Sequence, residues 1–266
     1  MEISTQETQF KGSDGQALDA FLAYPKDQEK HPGVIVIHEI WGLNDQIRGV
    51  AKRIAGEGFV TVAPQLFTRY KHVLTERNIE SAMRRIWSIP PSKRNDQETI
   101  KKAMEGMTEN ERKVVELLFS QRQKLQETMV KDLLACKDFL NSFERVKKDV
   151  LGVTGFCMGG GLAFQLATIW PFKATVVFYG SNPTPLESIA NISGELMCLY
   201  AGEDEGINAG IPIAVEALLK HKKSFEIKVY KGAQHAFFNE TRPSYNEEAA
   251  KDAWERLKSF FKRHLV

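Results

Sequence analysis

Residues 150–161, VLGVTGFCMGGG, constrain this chain more than any other stretch. An apolar, β-branched run reads as a buried strand, and it breaks at Gly155-Phe156-Cys157-Met158-Gly159 before the helix-like Leu162-Ala-Phe-Gln-Leu-Ala-Thr168. Strand, sharp turn and helix in that order are the layout of a nucleophile elbow. The flanking glycines let the backbone turn tightly, which thrusts the central side chain above the sheet edge. Here that side chain is a thiol. A lone G-x-C-x-G is better explained as a small buried cysteine beside an ordinary Gly-rich turn, so the reading depends on what else the chain carries.

The neighbouring segments supply an α/β frame. Residues 7–11 and 17–24 are extended runs around Ser13-Asp14-Gly15, a turn signal that predicts an antiparallel hairpin at the sheet edge. The run GVIVI at 33–37 ends in His38-Glu39-Ile40-Trp41-Gly42-Leu43-Asn44. After it, Ile47, Val50, Ala51, Ile54 and Ala55 recur at helical spacing. Asn44 or Asp45 caps that helix, Gly56 and Gly58 end it, and residues 59–63 begin the next strand. Alternating strand and helix imply a mostly parallel sheet with flanking helices.

From about 67 to about 126 the pattern changes to charged, helix-favouring sequence. Asp96 is a cap signal and Thr108-Glu-Asn-Glu111 a capping box. We read this stretch as a helical insertion within one domain spanning 1–266. One of its helices ends near Ile86, Trp87, Ile89 and Pro90-Pro91, and a later one buries Val114, Val115, Leu117, Leu118 and Leu125. Such an insertion serves as a lid over a site, or as scaffold or an oligomer contact. An amphipathic helix from Met129 to Phe143 then leads into the elbow strand. Further strands are expected at 174–179, 195–201 and 225–230. A helix is marked by Ile213, Val215, Leu218 and Leu219, and a last one runs from about Glu247 through Ala250, Trp254, Leu257 and Phe261.

Composition narrows the partners. Thirty-six Lys and Arg against 34 Asp and Glu leave a formal charge of +2, so nothing calls for nucleic acid or an anionic membrane surface. A small molecule is the expected partner. The three cysteines, Cys136, Cys157 and Cys198, have no metal-ligand spacing, and residues 1–7 have no secretory pattern, so a reducing, cytoplasmic setting is expected. No apolar run approaches the roughly 18 residues that span a bilayer.

The polar residues carry the chemistry. Cys157, Asp204 and His235 each fall just beyond the carboxyl end of an expected strand, the rim where open α/β sheets place ligands. Their order, nucleophile, acid, histidine, is that of the α/β-hydrolase triad, and three such placements together are far more specific than any one. A histidine held by a carboxylate takes the thiol proton, the thiolate attacks an ester carbonyl, and water cleaves the resulting thioester. Neither metal nor organic cofactor is required. Glu39 directly ends an apolar strand on the same rim, which favours a functional role over that of a solvated carboxylate.

These segments resemble the dienelactone hydrolase family of α/β-hydrolases over most of the chain outside the insertion. His38-Glu39-Ile40-Trp41-Gly42-Leu43-Asn44 resembles the family's first loop, Gly155-Phe-Cys157-Met-Gly-Gly160 its nucleophile motif, Gly202-Glu-Asp204 its acid loop, and Gly232-Ala-Gln-His235-Ala-Phe its histidine loop. The resemblance implies Cys157 as nucleophile, His235 as base, Asp204 as its orienting partner, and the backbone N–H groups of Ile40 and Met158 as the oxyanion hole. It also implies that Glu39 interacts with the resting thiol and helps activate it. Tyr179 matches an aromatic position near the site, and Trp41, Trp87, Phe237, Asn239 and Arg84 are further candidates for substrate contact. Three departures bear on substrate: Gln65 where Asp is usual, the longer insertion, and Asn239 where the family has a carboxylate-binding arginine. Arg242, Arg69, Arg84 and Arg85 are alternative cations. The expected activity is hydrolysis of a small ester or lactone of enol-lactone type. Alternatives are a general carboxylesterase or thioesterase, or a non-catalytic binding or assembly module on the same fold.

Overall fold

The computed structural model describes residues 1–90 and 96–266. Strands β1 (Ile3–Lys11), β2 (Ala17–Pro25), β3 (His31–Ile37), β4 (Val60–Pro64), β5 (Val146–Phe156), β6 (Ala174–Phe178), β7 (Glu195–Ala201) and β8 (Phe225–Tyr230) form one eight-stranded sheet in the order β1-β2-β4-β3-β5-β6-β7-β8. The first two strands are an antiparallel edge hairpin, β2 also pairs antiparallel with β4, and every pairing from β4 onward is parallel. This is the α/β-hydrolase architecture expected.

Alternation along β3 shows why both faces are covered. Val34 and Val36 point to one side, where they join Ile47, Val50 and Ile54 of helix α1 (Asp45–Gly56) and Phe260 and Phe261 of the last helix in one apolar cluster. Ile35 and Ile37 point to the other, into a cluster with Leu133 and Leu140 of the long helix that precedes β5. A strand buried on both sides reads as a continuous apolar run, which is how 33–37 reads. Each fully buried Ile or Phe contributes about 1.5–3 kcal/mol relative to exposure.

Between β4 and β5 come α2 (Glu76–Trp87), α3 (Gln97–Glu105), α4 (Glu109–Val115), a single π-helical turn (Glu116–Ser120) and α5 (Arg122–Ser142). Asp96 and Thr108 cap α3 and α4 as expected, and Thr108 with Glu111 forms the capping box. The helix expected from Met129 starts earlier, at Arg122, so the last residues of the 67–126 stretch belong to the first turns of α5. Pro91 lies outside the described residues. Asn44 is the cap of α1, its side chain accepting the Ile47 N–H at 3.3 Å.

After the elbow come α6 (Met158–Ala167), α7 (Glu205–Asn208), α8 (Ile211–Lys220) and α9 (Glu247–Leu265). In α8 the buried residues are Ala214 and Leu218, whereas Ile213 and Leu219 are exposed. The buried face runs through Ala214 and Leu218, so the helix is rotated from the expected phase. Among the described residues no helix is long and apolar enough to cross a membrane.

Candidate active site

The elbow is enforced by backbone contact. At Gly155 a side-chain Cβ would lie 2.0 Å from the Gly159 carbonyl oxygen, and at Gly159 one would lie 2.5 Å from the carbonyl oxygens of Ile37 and His38. Only glycine lets the start of α6 press against the ends of β5 and β3. Between them Cys157 adopts φ 55° and ψ −115°, a left-handed conformation rare for a side-chain-bearing residue and costing about 1–3 kcal/mol. Its N–H donates to the Phe178 carbonyl at 3.0 Å and its carbonyl accepts from Gly161 N–H at 3.1 Å, so the strain is held by neighbours.

The acid and histidine loops are tied to each other before they reach the thiol. Gly202 N–H donates to the Tyr230 carbonyl at 2.8 Å, Glu203 N–H to the Ala233 carbonyl at 2.9 Å, and Gly232 N–H to the Glu203 carboxylate at 3.1 Å. Asn208 closes the acid loop through the carbonyls of Ala201 and Gly202. On this frame His235 Nδ1 hydrogen-bonds Asp204 Oδ2. Burial opposes charge on His235, but the Asp204 hydrogen bond and then the Cys157 sulfur outweigh it and push its pKa up to about 10.

Glu39 is 3% exposed at the end of β3. It accepts from Tyr179 Oη at 3.1 Å and from Asn239 Nδ2 at 2.5 Å, one bond to each carboxylate oxygen. Burial raises its pKa, against the lowering effects of Asn239, Tyr179 and the nearby His235. The hydrogen bonds of Glu39 thus run to Tyr179 and Asn239, and the thiol contact implied by the resemblance is not among them. Ile40 and Met158 N–H have no protein acceptor among the described residues, and both residues line the cavity that holds Cys157.

That cavity, of about 190 Å³, has two surfaces. Ile40, Cys157, Met158, Tyr179, Ser181, Ile207 and His235 come from the sheet rim. Met83 of α2, Leu118 and Phe119 of the π-helical turn, and Arg122, Leu125 and Gln126 of α5 come from the segment between β4 and β5. The sequence marks Leu118 and Leu125 only as buried helix positions and carries no site signal at Met83, Phe119, Arg122 or Gln126. The π-helical turn, which re-aims Leu118 and Phe119, has no periodicity signal of its own.

Of the six substrate-contact candidates only Tyr179 lines this cavity. Phe237 is fully buried and packs edge-on against the Tyr179 ring at 5.4 Å, below the site. Asn239 is likewise buried, its amide oxygen accepting from Thr241 and its nitrogen donating to Glu39. Trp41 is clamped between Arg242, stacked at 3.9 Å, and Trp87, edge-on at 5.8 Å. Trp87 is half exposed and Arg84 exposed, both outside the cavity lining.

The other nominated cations are committed elsewhere. Arg69 pairs with Asp14 and Asp132, Arg85 approaches Glu111 at 4.0 Å, and Arg242 bridges Glu76 at 2.7 Å and Glu80 at 3.5 Å. Cys136 and Cys198 are buried free thiols whose pKa burial raises, to about 12 for Cys198. Both are shielded from reagent and disfavoured as thiolates, whereas Cys157 is partly exposed.

Comparison with known proteins places the chain in a family. The model of the dienelactone hydrolase family matches residues 18–265. A protein of Saccharolobus solfataricus named "Putative carboxymethylenebutenolidase" is 52% identical over 254 residues, 96% of this chain and 97% of that one. A Bradyrhizobium protein named "Probable 2-oxo-3-(5-oxofuran-2-ylidene)propanoate lactonase" is 28% identical over 265 residues, covering 96% and 92%. Among solved structures, a "Putative Dienelactone Hydrolase" from Klebsiella pneumoniae matches with a TM-score of 0.75 and 26% identity over 99% of this chain and 100% of that one. The chain belongs to the dienelactone hydrolase family.

Proposed function

We propose that this chain hydrolyses small esters or lactones through a Cys157-His235-Asp204 triad and a thioester acyl-enzyme. The observation that carries the reading is the meeting, in one cavity, of the Cys157 sulfur, a histidine bonded to Asp204, and two backbone N–H groups without a protein acceptor among the described residues. His235 takes the Cys157 proton, and the sulfur attacks the ester carbonyl carbon. The carbonyl oxygen becomes an anion between Ile40 N–H and Met158 N–H, the kind of stabilisation that is usually the largest single catalytic contribution. The intermediate collapses, the C–O bond breaks, and the departing enolate, phenolate or alkoxide oxygen takes the proton from His235, which leaves the imidazole neutral. Water, deprotonated by His235, then attacks the thioester, and sulfur leaves and recovers its proton. Glu39 contributes by holding the Tyr179 hydroxyl and the Asn239 amide in place beside His235. A sulfur nucleophile fits a reducing, cytoplasmic setting.

Sulfur at position 157 also narrows the substrate. A thiolate is a far better leaving group than an alkoxide, so the intermediate from a simple alkyl ester mostly reverts. An enol lactone or aryl ester expels a stabilised anion and goes forward. The test is a matched series of esters differing only in leaving group, with intact-mass detection of the acyl-enzyme. The expected result is a steep fall in kcat/KM from aryl or enol to alkyl ester, narrowed in Cys157→Ser. A flat series would move the reading to a general carboxylesterase.

A further inference from the structure

We infer that His38 is a positioning residue whose fully buried, bridging imidazole aims the Ile40 N–H into the cavity. The inference rests on Ile40 being an oxyanion donor. His38 directly follows β3 and is fully buried, and its ring meets the Phe67 ring edge-on at 4.9 Å. Its Nδ1 lies 2.5 Å from the Glu39 carbonyl oxygen, and its Nε2 accepts the Leu66 N–H at 3.2 Å. Both bonds are made at once only by the neutral imidazole protonated at Nδ1, because a carbonyl can only accept and an amide N–H can only donate.

The consequence lies in one peptide unit. The carbonyl of Glu39 and the N–H of Ile40 belong to the same planar trans amide and point in opposite directions, so pinning one end fixes the other. The Glu39 carbonyl also accepts the Gly42 N–H at 3.3 Å, leaving that plane little freedom. Hydrogen bonding at the oxygen polarises the amide as well, which strengthens the opposite N–H as a donor. The second donor is registered against the first, since Gly159, next to Met158, packs its Cα directly on the His38 and Ile37 carbonyls. Leu66 follows β4, so the imidazole transfers the rigidity of two adjacent strand ends to a loop N–H that has no protein acceptor of its own among the described residues.

The test compares His38→Asn with His38→Gln. Glutamine can present a donor to Glu39 and an acceptor to Leu66, whereas asparagine reaches only the Nδ1 position, so it can still donate to the Glu39 carbonyl but loses the Leu66 N–H and with it the tie to the end of β4. For an aryl ester, His38→Asn is expected to lower kcat about 10- to 100-fold, below the full loss of an oxyanion donor, with KM within about threefold. His38→Gln should restore kcat to within about threefold of native. Alkylation of Cys157 by iodoacetamide expels iodide and forms no oxyanion, so its rate should stay within about twofold in both variants. Native kcat in His38→Asn, failure of His38→Gln to rescue, or alkylation falling in step with kcat would each overturn the inference. Cys157→Ala separates the two readings. Turnover surviving in it removes the proposed function and this inference together, whereas turnover lost in it but intact in His38→Asn removes the inference alone.

Discussion

The floor and the roof of the cavity are built by different physics. On the floor, Cys157, Tyr179, Asp204 and His235 sit on strand ends whose register is set by the parallel pairing of β5, β6, β7 and β8. Backbone packs on backbone there, at Gly155 and Gly159, with no side chain to yield. The roof is a set of helix faces. Met83, Leu118, Phe119 and Leu125 approach through flexible apolar side chains, and Phe119 stays half exposed. A floor of this kind tolerates almost no change in shape. A roof of this kind changes what enters while the fold survives, which is where a family sharing one chemistry can vary its substrates.

The largest effect that would break this contrast is on stability. Gly159→Ala places a methyl group 2.5 Å from two carbonyl oxygens that have nowhere to move, so we expect a loss of about 3 kcal/mol or more and no turnover. Urea unfolding measures it, and a native-like midpoint would show that the floor is softer than its geometry implies.

Next comes acid sensitivity. Burial lowers the pKa of His38 from 6.5 to about 4, so between those values the unfolded chain binds a proton that the folded one does not. Stability from this group is therefore present above pH 6.5 and is lost as pH falls towards 4, by about 3 kcal/mol in all. Glu39 beside it, with its pKa raised, works in the opposite direction over its own range. Comparing native protein with His38→Gln across this window isolates the histidine. Equal slopes would mean that His38 is charged or solvated in the folded state.

On the roof the effects are smaller. Phe119→Ala should raise KM for an aryl ester about fivefold, the equivalent of about 1 kcal/mol of apolar contact, and move the melting temperature by less than about 2 °C. A melting shift as large as that of a core residue would make Phe119 structural. Trp87→Ala, outside the cavity lining, is expected to change KM by less than about twofold, its effect coming through the ring it places on Trp41. A larger effect on KM than that of Phe119→Ala would extend the roof to the Trp41 clamp.

The floor was legible in the sequence for the reason that makes it rigid. Gly155-x-Cys157-x-Gly159, Asp204 and His235 are local signals, each tied to the end of an apolar run, and parallel pairing aligns those ends. The roof was not, because helical periodicity says which face of 114–125 is apolar without saying what that face covers. A π-helical turn at Glu116–Ser120 shifts the phase besides. Asn239 misled for a related reason. Its position beyond His235 suggested substrate, whereas the chain turns it inward to Glu39, a pairing that no local pattern encodes.

The two hydrogen bonds on Glu39 reach 140 residues along the chain to Tyr179 and 200 to Asn239. During synthesis at about 5–20 residues per second, the carboxylate emerges about 10–40 s before its second partner. In that interval β3 has no stable way to bury its end, since an acid in an apolar setting without both donors strongly resists desolvation. The floor therefore closes late on the ribosome, and a nascent chain stalled before Asn239 should hold Glu39 in water, open to proteolysis at the loop that follows it.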